Sequence, residues 1–142
     1  MTENAPITNK VETLRRVMCD LPQAVCPVTH HFHPGLYIRE ALIPAGVVAI
    51  GKEHKDMHTS ILLAGAVMVL NQDGSTEILK APRTMLSPPG RKVVFALTDV
   101  LWQNVYATTE TDLAALEDTY VEKEDNLLTE GQKRLIQAME DV

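Results

Sequence analysis

Two histidines four positions apart, His54 and His58, are the residues of this sequence best suited to do chemistry. They sit in the stretch Lys52-Glu53-His54-Lys55-Asp56-Met57-His58. In a regular strand alternate side chains share a face, so Lys52, His54, Asp56 and His58 would line up together. A turn at Lys55-Asp56 would break that register and still bring the two imidazoles close. Paired imidazoles can hold a divalent transition metal such as zinc, iron, manganese or nickel. Such centres normally take three protein ligands and leave one position open. Asp56, Tyr106 and the cluster His30-His31-Phe32-His33 are the candidates for a third ligand, although that cluster is expected at the surface. A structural or ligand-contacting role for His54 and His58 competes evenly with metal ligation. The zincin signature H-E-x-x-H is excluded, because Lys55 follows His54 and the surroundings read as strand.

Other side chains extend this set. Tyr37 and Arg39 alternate with Ile38 and Glu40, so both belong to one strand face. If that face points inward, the planar fork of Arg39 suits a carboxylate or phosphate. A surface ion pair with Glu40 or another acid is the equal competitor. Tyr106 is expected beside the same site, with packing plus one hydrogen bond as its plain alternative. Lys52 is a poor metal ligand, since its protonated ammonium has no lone pair. Pointing inward, it would need a carboxylate, and Glu53 and Asp56 are nearest in sequence. Trp102 reads as core; Arg91-Lys92 beside Gly90 could hold an anion, with a solvated turn as the safer reading. No catalytic serine motif, Walker loop or dinucleotide fingerprint is present.

The elements that must position these groups are short strands. From Val25 to Thr108 the chain alternates β-type runs with turn residues. The runs are Leu36 to Ile43, Val47 to Gly51, Ser60 to Leu70, Thr76 to Leu79, Val93 to Leu97 and Leu101 to Ala107. Pro34-Gly35, Asn71-Gln72-Asp73-Gly74 and Pro88-Pro89-Gly90 punctuate them. No segment between the runs is long enough for a βαβ crossover, which leaves a sandwich or barrel. Before the strands, Val11, Leu14, Val17 and Met18 recur at helical spacing, with Asn9 as the expected cap and Pro22 as the stop. After them, Thr111 is expected to cap a short helix, and Thr129 a second one carrying Leu135, Ile136 and Met139.

Charge narrows the range of partners. Of the 13 basic and 19 acidic residues in the chain, residues 1–109 hold ten and nine, and residues 110–142 hold three and ten. The net charge of −6 therefore belongs to the C-terminal segment, and no basic face points to nucleic acid. The longest apolar run, Ile61 to Leu70, is about half of what crosses a bilayer, so no membrane partner is expected. The N-terminus shows no secretory pattern, and Cys19 and Cys26 have neither redox nor zinc-knuckle spacing; both features fit a cytoplasmic protein.

The stretch Gly46 to Gly65, followed by Pro88-Pro89-Gly90, resembles the two motifs of the cupin superfamily. Aligned on Gly65, His58 falls at that family's glutamate, His54 at its second histidine and Lys52 at its first. Pro88-Pro89-Gly90 matches the second motif, with Val93 at the histidine position. Lys52 and Val93 depart from the family's metal ligands. The chain is also similar to small cupin-like proteins of bacteriophage and prophage genomes. The residues carrying that likeness are Gly35 to Glu40, Lys52 to Lys55, Ala81-Pro82, Trp102, Thr111 to Leu113 and Glu117.

The resemblance implies an all-β, double-stranded β-helix barrel over residues 25–109. An N-terminal tail and helix over 1–24 and an acidic helical segment over 110–142 flank it. It implies a small-molecule-binding barrel with His54 and His58 as candidate ligands of a divalent metal. Tyr37, Arg39, Lys52 and Tyr106 are candidate ligand contacts. A metal in such a site would act as a Lewis acid or activate water or oxygen. The competing reading is a catalytically silent barrel used as a structural or interaction module. Open strand edges lead us to expect a homodimer, in the host cytoplasm or in a virion if phage-encoded.

Overall fold

The computed structural model describes residues 7–122 and 138–139. The chain divides into two compact units, one formed by Met1–Ala24 with Glu124–Val142 and the other by Val25–Lys123. In the first, helix α1 spans Ile7–Cys19. It begins before Asn9, so Asn9 lies inside the helix rather than capping it, and it ends ahead of Pro22. The expected helix after Thr129 falls largely outside the described residues.

The second unit holds nine strands and one helix among its described residues. They are β1 (Val28–His33), β2 (Leu36–Ile43), β3 (Val48–Ile50), β4 (His58–Ala64), β5 (Ala66–Leu70), β6 (Thr76–Lys80), β7 (Arg83–Ser87), β8 (Val93–Ala96), β9 (Val100–Ala107) and α2 (Leu113–Tyr120). All pairings are antiparallel. One sheet runs β1-β2-β9-β4-β7 and the other β3-β8-β5-β6. The core lies between them: Ile43, Leu62, Val100 and Trp102 from the first sheet meet Val67, Val69, Leu79, Val94 and Ala96 from the second.

The apolar run Ser60 to Leu70 is not one strand. It breaks at Gly65, and the chain passes from one sheet to the other. Gly65 has φ +88°, and a Cβ there would lie 2.2 Å from the carbonyl oxygen of Asp99, so only glycine fits the crossing. Two strands were also invisible to the run-counting. β1 is mostly polar, and β7 is a short segment bracketed by prolines. Helix α2 is capped by Asp112, not Thr111: the Asp112 carboxylate accepts from the Ala114 N–H at 3.2 Å.

The inner face of the five-stranded sheet changes character along its length. At one end it presents Ile43, Val100 and Leu62. Toward the other end, one row across β2, β9, β4 and β7 holds Arg39, Asn104, Ser60 and Met85 in register. The next row holds Tyr37 and Tyr106, followed by His58 and Ser87. Alternation within each strand therefore delivers a greasy end and a polar end to the same barrel.

Candidate functional site

His58 is the first residue of β4 and pairs with Ser87, the last of β7. His54 belongs to no long strand. Its backbone exchanges two hydrogen bonds with Gly90, both 2.9 Å, and it also bridges Val121. The segment bends at Lys55-Asp56 between the two histidines. The broken register, not the regular strand, brings the imidazoles together, and their ring centroids stand 3.8 Å apart, stacked at 17°.

Hydrogen-bond partners fix the tautomers. Nδ1 of His54 faces the Lys52 carbonyl at 3.1 Å, and Nδ1 of His58 faces the Asp56 carbonyl at 3.3 Å. A carbonyl only accepts, so Nδ1 carries the proton in each ring and Nε2 carries a lone pair. The His54 lone pair accepts from the Tyr106 hydroxyl at 2.7 Å. Among the described residues, none hydrogen-bonds Nε2 of His58. Burial, then the neighbouring His58, push the His54 value down to about 4. Burial also lowers that of His58, with Lys92 adding to the effect. Both rings are therefore neutral at pH 7. Tyr106 is pushed the other way, up to about 12, chiefly by burial, so its hydroxyl keeps its proton and donates it.

Tyr106 ends a longer hydrogen-bonded chain. Lys92 Nζ donates to Ser87 Oγ at 2.9 Å. Ser60 Oγ donates to Asn104 Oδ1 at 2.9 Å, which leaves Ser87 as donor in the 2.8 Å Ser60–Ser87 bond. Trp102 Nε1 donates to the same Asn104 oxygen at 3.0 Å, and the Asn104 amide supports the Tyr106 oxygen. Ser60 and Ser87 are fully buried, so this network satisfies groups that water cannot reach. Lys92 is the main revision. It is not a solvated turn residue: its ammonium reaches inward and lies 4.9 Å from the centre of the Trp102 ring. Burial lowers its proton affinity.

Tyr37 and Arg39 do face inward together. Glu40, on the opposite face, accepts from Gln103 at 2.7 Å and lies 3.7 Å from His31. The competing surface pair between Arg39 and Glu40 is not formed. The His30, His31 and His33 side chains do not join the His54–His58 pair. His30 hydrogen-bonds the Tyr37 hydroxyl at 2.7 Å, and His31 stacks loosely on His33. Lys52 leaves the histidines and pairs with Glu117 of α2, neither Glu53 nor Asp56. Asp56 meets His58 only through its backbone carbonyl.

Helix α2 closes the polar end. Leu116 is buried against Tyr37 and Tyr106, and the Tyr120 ring packs 4.5 Å from that of Tyr106. The segment is fastened to the histidine loop by backbone bonds from Lys55 N–H to Tyr120 at 3.0 Å and from Glu122 N–H to Glu53 at 2.8 Å. The Lys55 ammonium adds a bond to the Asp118 carbonyl at 2.8 Å.

The donor set does not fit a resident divalent ion in this arrangement. Face-to-face rings aim their Nε2 lone pairs side by side rather than at one point, and that of His54 is already engaged by Tyr106. Among the described residues no three His, Cys, Asp or Glu side chains gather. Val93, at the position of a histidine ligand in the resemblance, is a buried core residue.

The sequence matches no family model and no curated protein. The fold does match solved structures. Ectoine synthase from P. lautus superposes with a TM-score of 0.53 at 12% identity, covering 75% of this chain and 85% of that one. An RmlC-like cupin family protein with a double-stranded β-helix fold from Methanocaldococcus jannaschii gives 0.48 at 14% identity, covering 63% and 85%. A cupin domain from Bordetella pertussis gives 0.47 at 14%, covering 62% and 98%. The chain has the cupin fold. These identities speak to the fold and not to a shared reaction. No helix among the described residues is long and apolar enough to cross a membrane.

The site residues that escaped the sequence reading are Ser60, Ser87, Asn104 and Tyr120. Ser60 and Asn104 carried a usable signal, since each is a polar residue on the buried phase of a strand. Lys92 was legible only as one of a pair, Arg91-Lys92, that could hold an anion, and the solvated turn was the safer reading because a lysine beside a turn is ordinarily solvated.

Proposed function

We propose that this cupin barrel binds a small molecule at its polar end, against His58 and Tyr106. The observation that carries the reading is the neutral His58 ring, whose Nε2 lone pair meets no protein donor among the described residues while the neighbouring polar groups are engaged. A ligand N–H or O–H is the natural complement to that lone pair. The aromatic rings of Tyr37, Tyr106 and Tyr120 supply apolar walls. A ligand with a labile proton could pass it to His58, which is the one acid–base step this geometry supports.

The test is a titration of the full chain, with isotope-labelled histidine, by small hydrogen-bond donors such as phenol and benzamide. Saturable shifts of the His54 and His58 ring resonances are expected. Absence of saturation across the panel would overturn the reading and leave the silent interaction module. Titration with zinc, manganese and nickel belongs to the same experiment. Tight, stoichiometric binding that moves both rings would restore the metal reading and show that the stacked rings reorient. The open order of both sheets, with β1, β7, β3 and β6 outermost, supports a homodimer, which light scattering checks. The likeness to small phage proteins supports a setting in the host cytoplasm or virion.

A further inference from the structure

We infer that the ligand is a small carboxylate whose charge is taken by Arg39 and Lys92; this rests on the binding reading above and names its chemistry. Two cations approach the polar end of the barrel from opposite sides. Arg39 lies on the inner face of β2, in the row that continues through Asn104 to Ser60. Lys92 reaches the same row from beyond β7, through Ser87, which is bonded to Ser60. Both fields are felt at His54, where each disfavours the protonated ring.

Among the described residues neither cation has a carboxylate partner. Among the described residues Arg39 forms no ion pair or hydrogen bond, and the adjacent Glu40 is turned to the other face. Lys92 has a serine hydroxyl and an indole face; the acid it senses is Glu77, on the exposed strand β6, without an ion pair between them. Partly buried cations left without an anion are costly. Arginine cannot escape that cost by losing its proton. The surrounding groups are neutral: two unprotonated imidazoles and protonated phenols. Among the described residues, the polar end of the barrel thus carries two cations and no carboxylate paired with either.

The guanidinium fork pairs bidentately with a planar carboxylate, while the lysine acts as a point charge. The Tyr37 and Tyr106 rings, 5.7 Å apart and nearly parallel, favour a flat body behind that carboxylate. Benzoate has both features, and benzamide is its neutral isostere.

The experiment compares benzoate with benzamide on the full-length chain, reading the His54 and His58 ring resonances at constant ionic strength. Charge-assisted hydrogen bonds should give benzoate about tenfold or more tighter binding than benzamide. Arg39→Gln should remove most of that advantage and leave benzamide binding in place. If Arg39→Gln does not fold, Lys92→Met and the chloride dependence of the unmodified protein take its place. Added chloride should weaken benzoate and not benzamide. Equal affinity for the two probes, or an advantage that survives loss of either cation, would overturn the carboxylate inference while the binding reading stands. Failure of both probes to move the histidine resonances would remove both.

Discussion

Acid should destabilise this protein through His54 as the pH falls below 6.5. In the folded chain the ring sits at about 4 instead of its ordinary 6.5. The first cause is burial; His58, Arg39 and Lys92 add repulsion, and the Lys52 carbonyl opposes them by accepting from Nδ1. Above pH 6.5 the ring is neutral whether the chain is folded or not, and contributes no pH dependence. Between 6.5 and 4 the unfolded ring takes a proton that the folded ring refuses, so stability falls as pH falls. Below about 4 both states are protonated and the loss is complete. At about 1.4 kcal/mol per pH unit the ceiling is about 3 kcal/mol; the ring is partly exposed and solvent screens it, so about 1 kcal/mol should be lost by pH 5. His58 is shifted in the same direction and adds with the same sign. The assay is urea denaturation in pH steps from 7 to 5, on the unmodified chain and on His54→Gln. Glutamine keeps an acceptor for the Tyr106 hydroxyl and cannot titrate. Over this range the unmodified protein should lose about 1 kcal/mol more stability than the variant. Parallel pH profiles for the two proteins would refute the reasoning, whatever their absolute stabilities.

Ser60→Ala and Ser87→Ala should each cost about 1–3 kcal/mol by leaving buried partners unsatisfied. The double variant should cost less than the two added together, because one hydrogen-bonded chain contains both; strict additivity in chemical denaturation would contradict the network. Gly65→Ala should abolish or severely reduce folded yield, since its Cβ would meet the Asp99 carbonyl. Gly74→Ala, also at positive φ but in open space, should cost only about 1–2 kcal/mol; similar melting behaviour of the two variants would contradict the crossing at Gly65. Glu117→Gln breaks a half-exposed ion pair and should change global stability by less than about 1 kcal/mol. It should nevertheless speed hydrogen exchange at the amides of Lys55 and Glu122, which hold α2 to the histidine loop; unchanged exchange there would mean that the pair does not fasten the helix.

The barrel was legible because its turns are chemically explicit. Pro34-Gly35 and Asn71 to Gly74 close hairpins where the sequence puts turn residues, with Gly35 and Gly74 at positive φ. The split of the run Ser60 to Leu70 was not legible, since an apolar run looks alike whether it stays in one sheet or crosses to another. Only the approach of Asp99, distant in sequence, shows that Gly65 is the crossing point. The pairing of His54 with His58 was readable from spacing, but the stacking was not. It depends on Gly90 and Val121 clamping the His54 backbone from two sides, and those contacts arise only when segments distant in sequence meet. Lys52 shows the same limit from the other direction. Motif alignment puts it beside His54, yet Glu117 lies within its reach once α2 folds over the barrel end, and the pair turns the ammonium away from the rings. Local pattern thus carries the strands and the polar phase of each strand. The sign of the charge inside the barrel is a property of the assembled rows: Arg39, Asn104 and Ser60 become neighbours across three strands, and Lys92 joins them through Ser87. Two cations and neutral rings at one end of the barrel form an arrangement that no single segment of the sequence contains.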